Sequence, residues 1–155
     1  MNRIVVDAAK CSGCRVCELV CSYHHEKRFS PSLSRIDVVK MDKYGLDYPV
    51  YCRQCSECPP ADVCPVGALN KGDNGAIILD VEVCINCGVC AKICIYDAVK
   101  LDEASRPLIC DLCGGDPVCV KKCPTDALTY EESIQVTDQP ESVFKELRER
   151  WGIDV

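Results

Sequence analysis

The spacing of cysteine constrains this chain more than any other feature. Its sixteen cysteines fall into four groups of four, with none left over. The first is Cys11, Cys14, Cys17 and Cys21, spaced C-x2-C-x2-C-x3-C; the second is Cys52, Cys55, Cys58 and Cys64. The third is Cys84, Cys87, Cys90 and Cys94, and the fourth Cys110, Cys113, Cys119 and Cys123. Thiolates in so tight a loop can wrap three corners of a 4Fe–4S cube, the fourth sulfur coming from elsewhere, often a partner motif. Four complete groups lead us to expect four 4Fe–4S clusters, with all sixteen cysteines as metal ligands.

Other uses of cysteine fit less well. Only 6% of the 155 residues are aromatic, so an ordinary apolar core would be thin and the chain needs staples. Disulfide staples belong to secreted proteins. Residues 1–7 show neither a basic region leading into an apolar run nor a twin-arginine pair, so we expect no signal peptide. With no run of eighteen apolar residues, no membrane span is expected and the location expected is cytoplasmic. Structural zinc favours two C-x2-C knuckles across a gap, not three cysteines in one loop repeated four times; a zinc-built scaffold is the non-redox alternative. A radical enzyme that uses S-adenosylmethionine needs a three-cysteine site with an open iron, and four full quartets leave no vacancy.

The formal charge is −6. Sixteen thiolates on four oxidised cores would bring it to roughly −14. Nucleic-acid binding wants a basic footprint, so none is expected, whereas a basic face on a partner protein would be favoured. No GxGxxG, P-loop or nucleophile elbow is present, so no catalytic residue is assigned.

The cysteine groups form an internal repeat. Groups two to four each lead through a short helical turn to the fourth cysteine and then through small residues into a β segment. Strands are expected at 4–6, 36–39, 76–79, 98–101, 128–130 and 134–136, where β-branched residues are bounded by turn formers. Residues 70–75, with two glycines, read as a hairpin turn between groups two and three. An insert, about 22–51, separates groups one and two and gives group one the chain needed to reach group four. His24 and His25 lie in that insert beside Glu26, Lys27 and Arg28, in what reads as a solvated or partner-facing polar loop. Residues 138–155 carry Val143, Phe144, Leu147 and Trp151 at helical spacing after Asp138 and Pro140, which predicts an amphipathic helix.

The four quartets resemble those of a known family. Cys110-Asp111-Leu112-Cys113-Gly114-Gly115-Asp116-Pro117 runs on to Cys119-Val120-Lys121-Lys122-Cys123-Pro124, and Cys64-Pro65 repeats the Cys-Pro ending. Over about residues 10–130 the chain looks like the four-cluster electron-transfer subunits of complex oxidoreductases. These include the iron–sulfur subunit of the dimethyl sulfoxide reductase family. They also include the small subunits of formate dehydrogenase, hydrogenase, carbon monoxide dehydrogenase and tungsten aldehyde oxidoreductase systems.

The resemblance implies an α+β tandem bacterial-type ferredoxin fold of two pseudo-symmetric two-cluster units with a C-terminal helix. A domain at 1–137 would comprise an inner unit (about 48–102) and an outer unit (about 1–24 plus 103–137), followed by the tail at 138–155. It also implies crossed ligation: Cys11, Cys14, Cys17 with Cys123; Cys110, Cys113, Cys119 with Cys21; Cys52, Cys55, Cys58 with Cys94; and Cys84, Cys87, Cys90 with Cys64. Cys58 departs from the pattern, standing two residues earlier than the family places it, before Pro59-Pro60.

The expected function is one-electron relay between a catalytic subunit and a second redox partner, in a hetero-oligomer. A tungsten or molybdenum aldehyde oxidoreductase is the first expectation for the catalytic partner. A hydrogenase, formate dehydrogenase or carbon monoxide dehydrogenase complex, or a free soluble polyferredoxin, are the alternatives.

Overall fold

The computed structural model describes residues 1–42, 45–132 and 149. The strand expected at 134–136 and, apart from Glu149, the helix expected at 138–155 therefore lie outside the described residues. Eight short strands form four separate two-stranded antiparallel sheets among the described residues. Strand β1 (Asn2–Val6) pairs with β8 (Leu128–Glu132), and β2 (Ile36–Met41) with β3 (Leu46–Tyr51). Strand β4 (Leu69–Lys71) pairs with β5 (Ile77–Leu79), and β6 (Lys100–Leu101) with β7 (Pro107–Leu108).

The pairing follows the cysteine repeat. A strand ends just before each group and another begins after it, and each hairpin joins the strand after one group to the strand before the next. β1·β8 closes the circuit by pairing the strand before group one with the strand after group four, placing Ile4 opposite Tyr130 and Val6 opposite Leu128. The turn expected at 70–75 is the β4–β5 turn, where Gly75 takes φ +75° and the Gly72 amide donates to the Ala76 carbonyl. Strands β3, β4 and β7 had no sequence signal of their own; β3 and β7 contain prolines, and β4 reads Leu-Asn-Lys.

Among the described residues four helices accompany the cysteine loops, with Cys17, Cys21, Cys90 and Cys119 inside them. α1 (Val16–Glu26) buries Cys17, Glu18, Cys21 and Ser22 on one face. The others span about one turn each: α2 (Pro59–Asp62), α3 (Val89–Ile93) and α4 (Val118–Lys121). α1 packs on α4, and α2 on α3. The Glu18 side chain is fully buried; its Oε1 accepts the Val38 amide at 2.7 Å, tying α1 to β2, and the Arg15 guanidinium stands 3.0 Å from Oε2.

Gln54 joins the second cysteine loop to the rest of the fold. Its side chain is buried, with Nε2 donating to the Cys110 carbonyl and Oε1 accepting the Ile77 amide, both at 2.6 Å. Gln54→Leu would leave both backbone groups buried without a partner, at a cost of about 3 kcal/mol. We expect the anaerobic denaturant midpoint of the loaded protein to fall accordingly; an unchanged midpoint would show that water or another side chain takes over both bonds.

Candidate metal centres

Each cysteine loop opens with the same backbone device. The residue before the second cysteine is left-handed in all four groups: Gly13 (φ +65°), Gln54 (+55°), Asn86 (+55°) and Leu112 (+58°). This turn aims its amide back at the first cysteine of the group. The Asn86 amide donates to Cys84 Sγ at 3.4 Å, and the amides of Gly13, Gln54 and Leu112 likewise bond Cys11, Cys52 and Cys110. A leucine at positive φ is costly. Only the glycine and asparagine announced such a turn in the sequence.

The ends of groups two to four share a second device. The third residue after the last cysteine is again left-handed (Gly67, Asp97, Asp126), and a buried alanine follows (Ala68, Ala98, Ala127). In groups two and four this curls several amides around one sulfur. The Ala68 amide donates to Cys64 Sγ at 3.2 Å. Burial raises the Cys64 and Cys123 thiols, yet the converging amides outweigh it and hold both below the usual thiol range. For Cys64 these amides come from residues 66–69; for Cys123 they come from Thr125, Leu128 and Ala127. Group one lacks the device. Cys21 lies inside α1, and its sulfur accepts the Arg35 amide at 3.3 Å.

Sulfurs from different groups meet in space. One cavity is bordered by Cys52, Cys55, Cys58 and Cys94, with Ile77 and Ile109 beside them. A second is bordered by Cys64, Cys84, Cys87 and Cys90, and a third by Cys11, Cys14, Cys17 and Cys123. Each thus has three cysteines of one loop and the last cysteine of another. The remaining four also lie together: Cys119 is raised by burial and then by Cys21 and Cys113, and Cys110 by burial and then by Cys119, with Cys21 contributing. The early position of Cys58 does not remove it from its group, because Pro59 and Pro60 open α2 directly after it.

All sixteen cysteines are free thiols in this structure, so the fold rests on no disulfide. Burial pushes Cys17 and Cys52 up to about 12. Thiols held this high keep their protons at neutral pH unless a cation takes their place. Four sulfurs around an apolar cavity fit a cluster that is itself cationic and needs thiolate corners.

Two neighbours of these sites were not foreseen. The reading of His24-His25 as a polar loop is corrected: both lie in the last turn of α1, and the His25 side chain is only 10% exposed. Its Nε2 stands 3.8 Å from Cys113 Sγ and 3.5 Å from Asp111 Oδ1, and burial, then Arg35, lowers its pKa to about 4. The spacing of Cys17, Cys21 and His25 at four-residue steps was the signal for one continuous helix face. Arg53 is the other: its guanidinium lies 4.9 to 5.9 Å from the ring centres of Tyr48, Tyr51 and Tyr96 and donates to the Tyr48 and Tyr51 hydroxyls. Arg53 borders the cavity of Cys52, Cys55, Cys58 and Cys94, so a fixed positive charge stands at its wall.

Among the described residues, no helix is long and apolar enough to cross a membrane.

The family model described as a 4Fe-4S dicluster domain matches residues 45–133, more than half of the chain. The chain is 39% identical to the aliphatic sulfonate oxidoreductase polyferredoxin-like subunit of Pyrococcus furiosus, over 77% of this chain and 70% of that one. It is 36% identical to the electron transport protein HydN of Escherichia coli, over 83% and 87%. Among solved structures, a chain of the active site complex BamBC of benzoyl coenzyme A reductase is similar, with a TM-score of 0.52 and 27% identity. That likeness covers 97% of this chain and 91% of the other.

Proposed function

Because this chain belongs to the 4Fe-4S dicluster domain family, we propose that its four cysteine quartets each hold one 4Fe–4S cluster and that it relays single electrons through them. The domain is a small mixed, ferredoxin-like iron–sulfur domain, and its relatives are electron-transport proteins and subunits of oxidoreductases, not catalytic chains. Bound in such a quartet, a cluster accepts and gives up one electron. The cysteines described above would ligate it, and their surroundings would exclude water and aim amides at the cysteine sulfurs, which would set its potential.

The observation that carries this reading is the three cavities, each bordered by four cysteines from two loops. It supports the crossed ligand sets and two pseudo-symmetric units, one inner and one outer, within residues 1–137. The order of the quartets follows from their neighbours. Cys119 is raised in part by Cys17, and Cys110 in part by Cys52. The quartet of Cys110, Cys113, Cys119 and Cys21 therefore stands between that of Cys11, Cys14 and Cys17 and that of Cys52, Cys55 and Cys58. The quartet of Cys84, Cys87, Cys90 and Cys64 lies at the far end, reached through the α2–α3 contact. Of all the cysteines, only Cys14 and Cys87 are exposed, and they belong to the two end quartets. A relay with buried middle members and two accessible ends suits a subunit placed between a catalytic partner and a second carrier.

The catalytic partner we assign is a tungsten or molybdenum oxidoreductase of the aldehyde-oxidising type, by likeness of the quartets to those of its small subunits. Sixteen cysteines without a disulfide among them suit a reducing compartment such as the cytoplasm. Anaerobically purified protein should contain about sixteen iron and sixteen sulfide per chain and show a broad visible absorbance bleached by dithionite. Stoichiometric zinc without sulfide would overturn the relay. Native purification carrying tungsten or molybdenum along would identify the partner class; nickel in its place would favour a hydrogenase or carbon monoxide dehydrogenase.

A further inference from the structure

We infer that residues 80–87 form the docking surface for a redox protein presenting a basic rim around an apolar centre. The inference rests on the relay reading and specifies one of its partners. The third cysteine loop exposes three aliphatic side chains within five residues. Val81, Val83 and Ile85 are exposed by 59%, 42% and 60% around Cys84 and the exposed Cys87, and Leu101 lies beside Gly88 at the edge of this patch. Aliphatic side chains this exposed and this close in sequence are not scattered surface residues.

Charge selects the occupant. Asp80 and Glu82 alternate with the valines, and no Lys or Arg occurs between Lys71 and Lys92. Among the described residues neither carboxylate has a cationic partner; Asp80 Oδ1 instead accepts the Glu82 amide at 3.0 Å. The other exposed loop is different. Around Cys14, Arg15 stands 3.0 Å from Glu18 and Lys40 3.1 Å from Asp47, so its cations already have counter-charges within the chain. The end at Cys87 alone pairs an apolar centre with uncompensated negative charge. A partner with lysines around an exposed cofactor edge would be steered there and would bring that cofactor close to the end quartet.

The test uses the loaded protein, reduced and freed of dithionite, mixed in a stopped-flow instrument with cytochrome c, a basic redox protein with an exposed haem edge. Menadione serves as an uncharged small acceptor. The variants are Glu82→Lys, Val81→Ser and, as a control with the same charge change on β8, Glu131→Lys, each first shown to retain its iron. Glu82→Lys should slow cytochrome c reduction about tenfold at low ionic strength and flatten its salt dependence. Val81→Ser should slow it at all salt concentrations, Glu131→Lys should change it less than about twofold, and menadione reduction should be unaffected throughout. Equal slowing by Glu82→Lys and Glu131→Lys would overturn the inference, since net charge alone would then be responsible, as would no slowing by Glu82→Lys. A wild-type protein that reduces neither acceptor would instead refute the relay itself.

Discussion

Removing iron and sulfide under anaerobic, reducing conditions should abolish the fixed fold: the proton NMR spectrum is expected to collapse to the narrow dispersion of an unfolded chain, with loss of most of the far-ultraviolet dichroism. The reason lies in how little of this structure could stand alone. Its sheets have two strands each, and an isolated pair of strands is marginal in water. Among the described residues α2, α3 and α4 are only four or five residues long, far below the roughly twelve to fifteen needed for independent helicity. The buried cluster of side chains includes Cys17, Cys21, Cys52, Cys58, Cys90, Cys110 and Cys119. Without metal these become small, weakly packed thiols around cavities. Ligation and folding are then one event, as in small metal-built domains. A well-dispersed spectrum from iron-free protein would contradict this.

Cys94→Ser is the second large effect, and it should appear away from its own loop. Cys94 lies at the end of α3, one helical turn (about 6 Å of axial rise) beyond Cys90. That step carries its sulfur out of the cavity of Cys84, Cys87 and Cys90 and into that of Cys52, Cys55 and Cys58. The thiols of Cys52, Cys55 and Cys58 each have Cys94 as a charge neighbour, whereas Cys90 has Cys84 and Cys87. We therefore expect Cys94→Ser and Cys55→Ser to remove or alter the same paramagnetic resonance signal, with a loss of up to about four iron per chain. Cys87→Ser should affect a different signal. Matching spectra for Cys94→Ser and Cys87→Ser would establish ligation within the motif instead.

Much of this was legible because cysteine chemistry is local. Spacing marked all four loops, and the β-branched runs at 4–6, 36–39, 76–79 and 128–130 lie in or overlap strands β1, β2, β5 and β8. What escaped was carried by backbone geometry or by partners far along the chain. Nothing in Gln54 or Leu112 as residue types announces a left-handed turn; the sulfur that accepts their own amide imposes it. β3, β4 and β7 are defined by the strands they pair with, not by propensity. His25 was misplaced because its charged neighbours read as a loop, while its own position continued the buried face of Cys17 and Cys21. Arg53 needs Tyr96, more than forty residues away, to complete its ring of tyrosines, and no local pattern could supply that.

The exposure of Cys14 and Cys87 has a cost in durability. Oxygen and peroxide reach a thiolate-bound metal by the same openings through which a partner's cofactor approaches. Corrosion of the proposed relay thus starts at its two terminals while the middle quartets, sealed by Cys52, Cys110 and Cys119, stay intact. A cell that exposes this protein to air would keep a conductor with sound wire and dead contacts, one that still holds iron but no longer passes current.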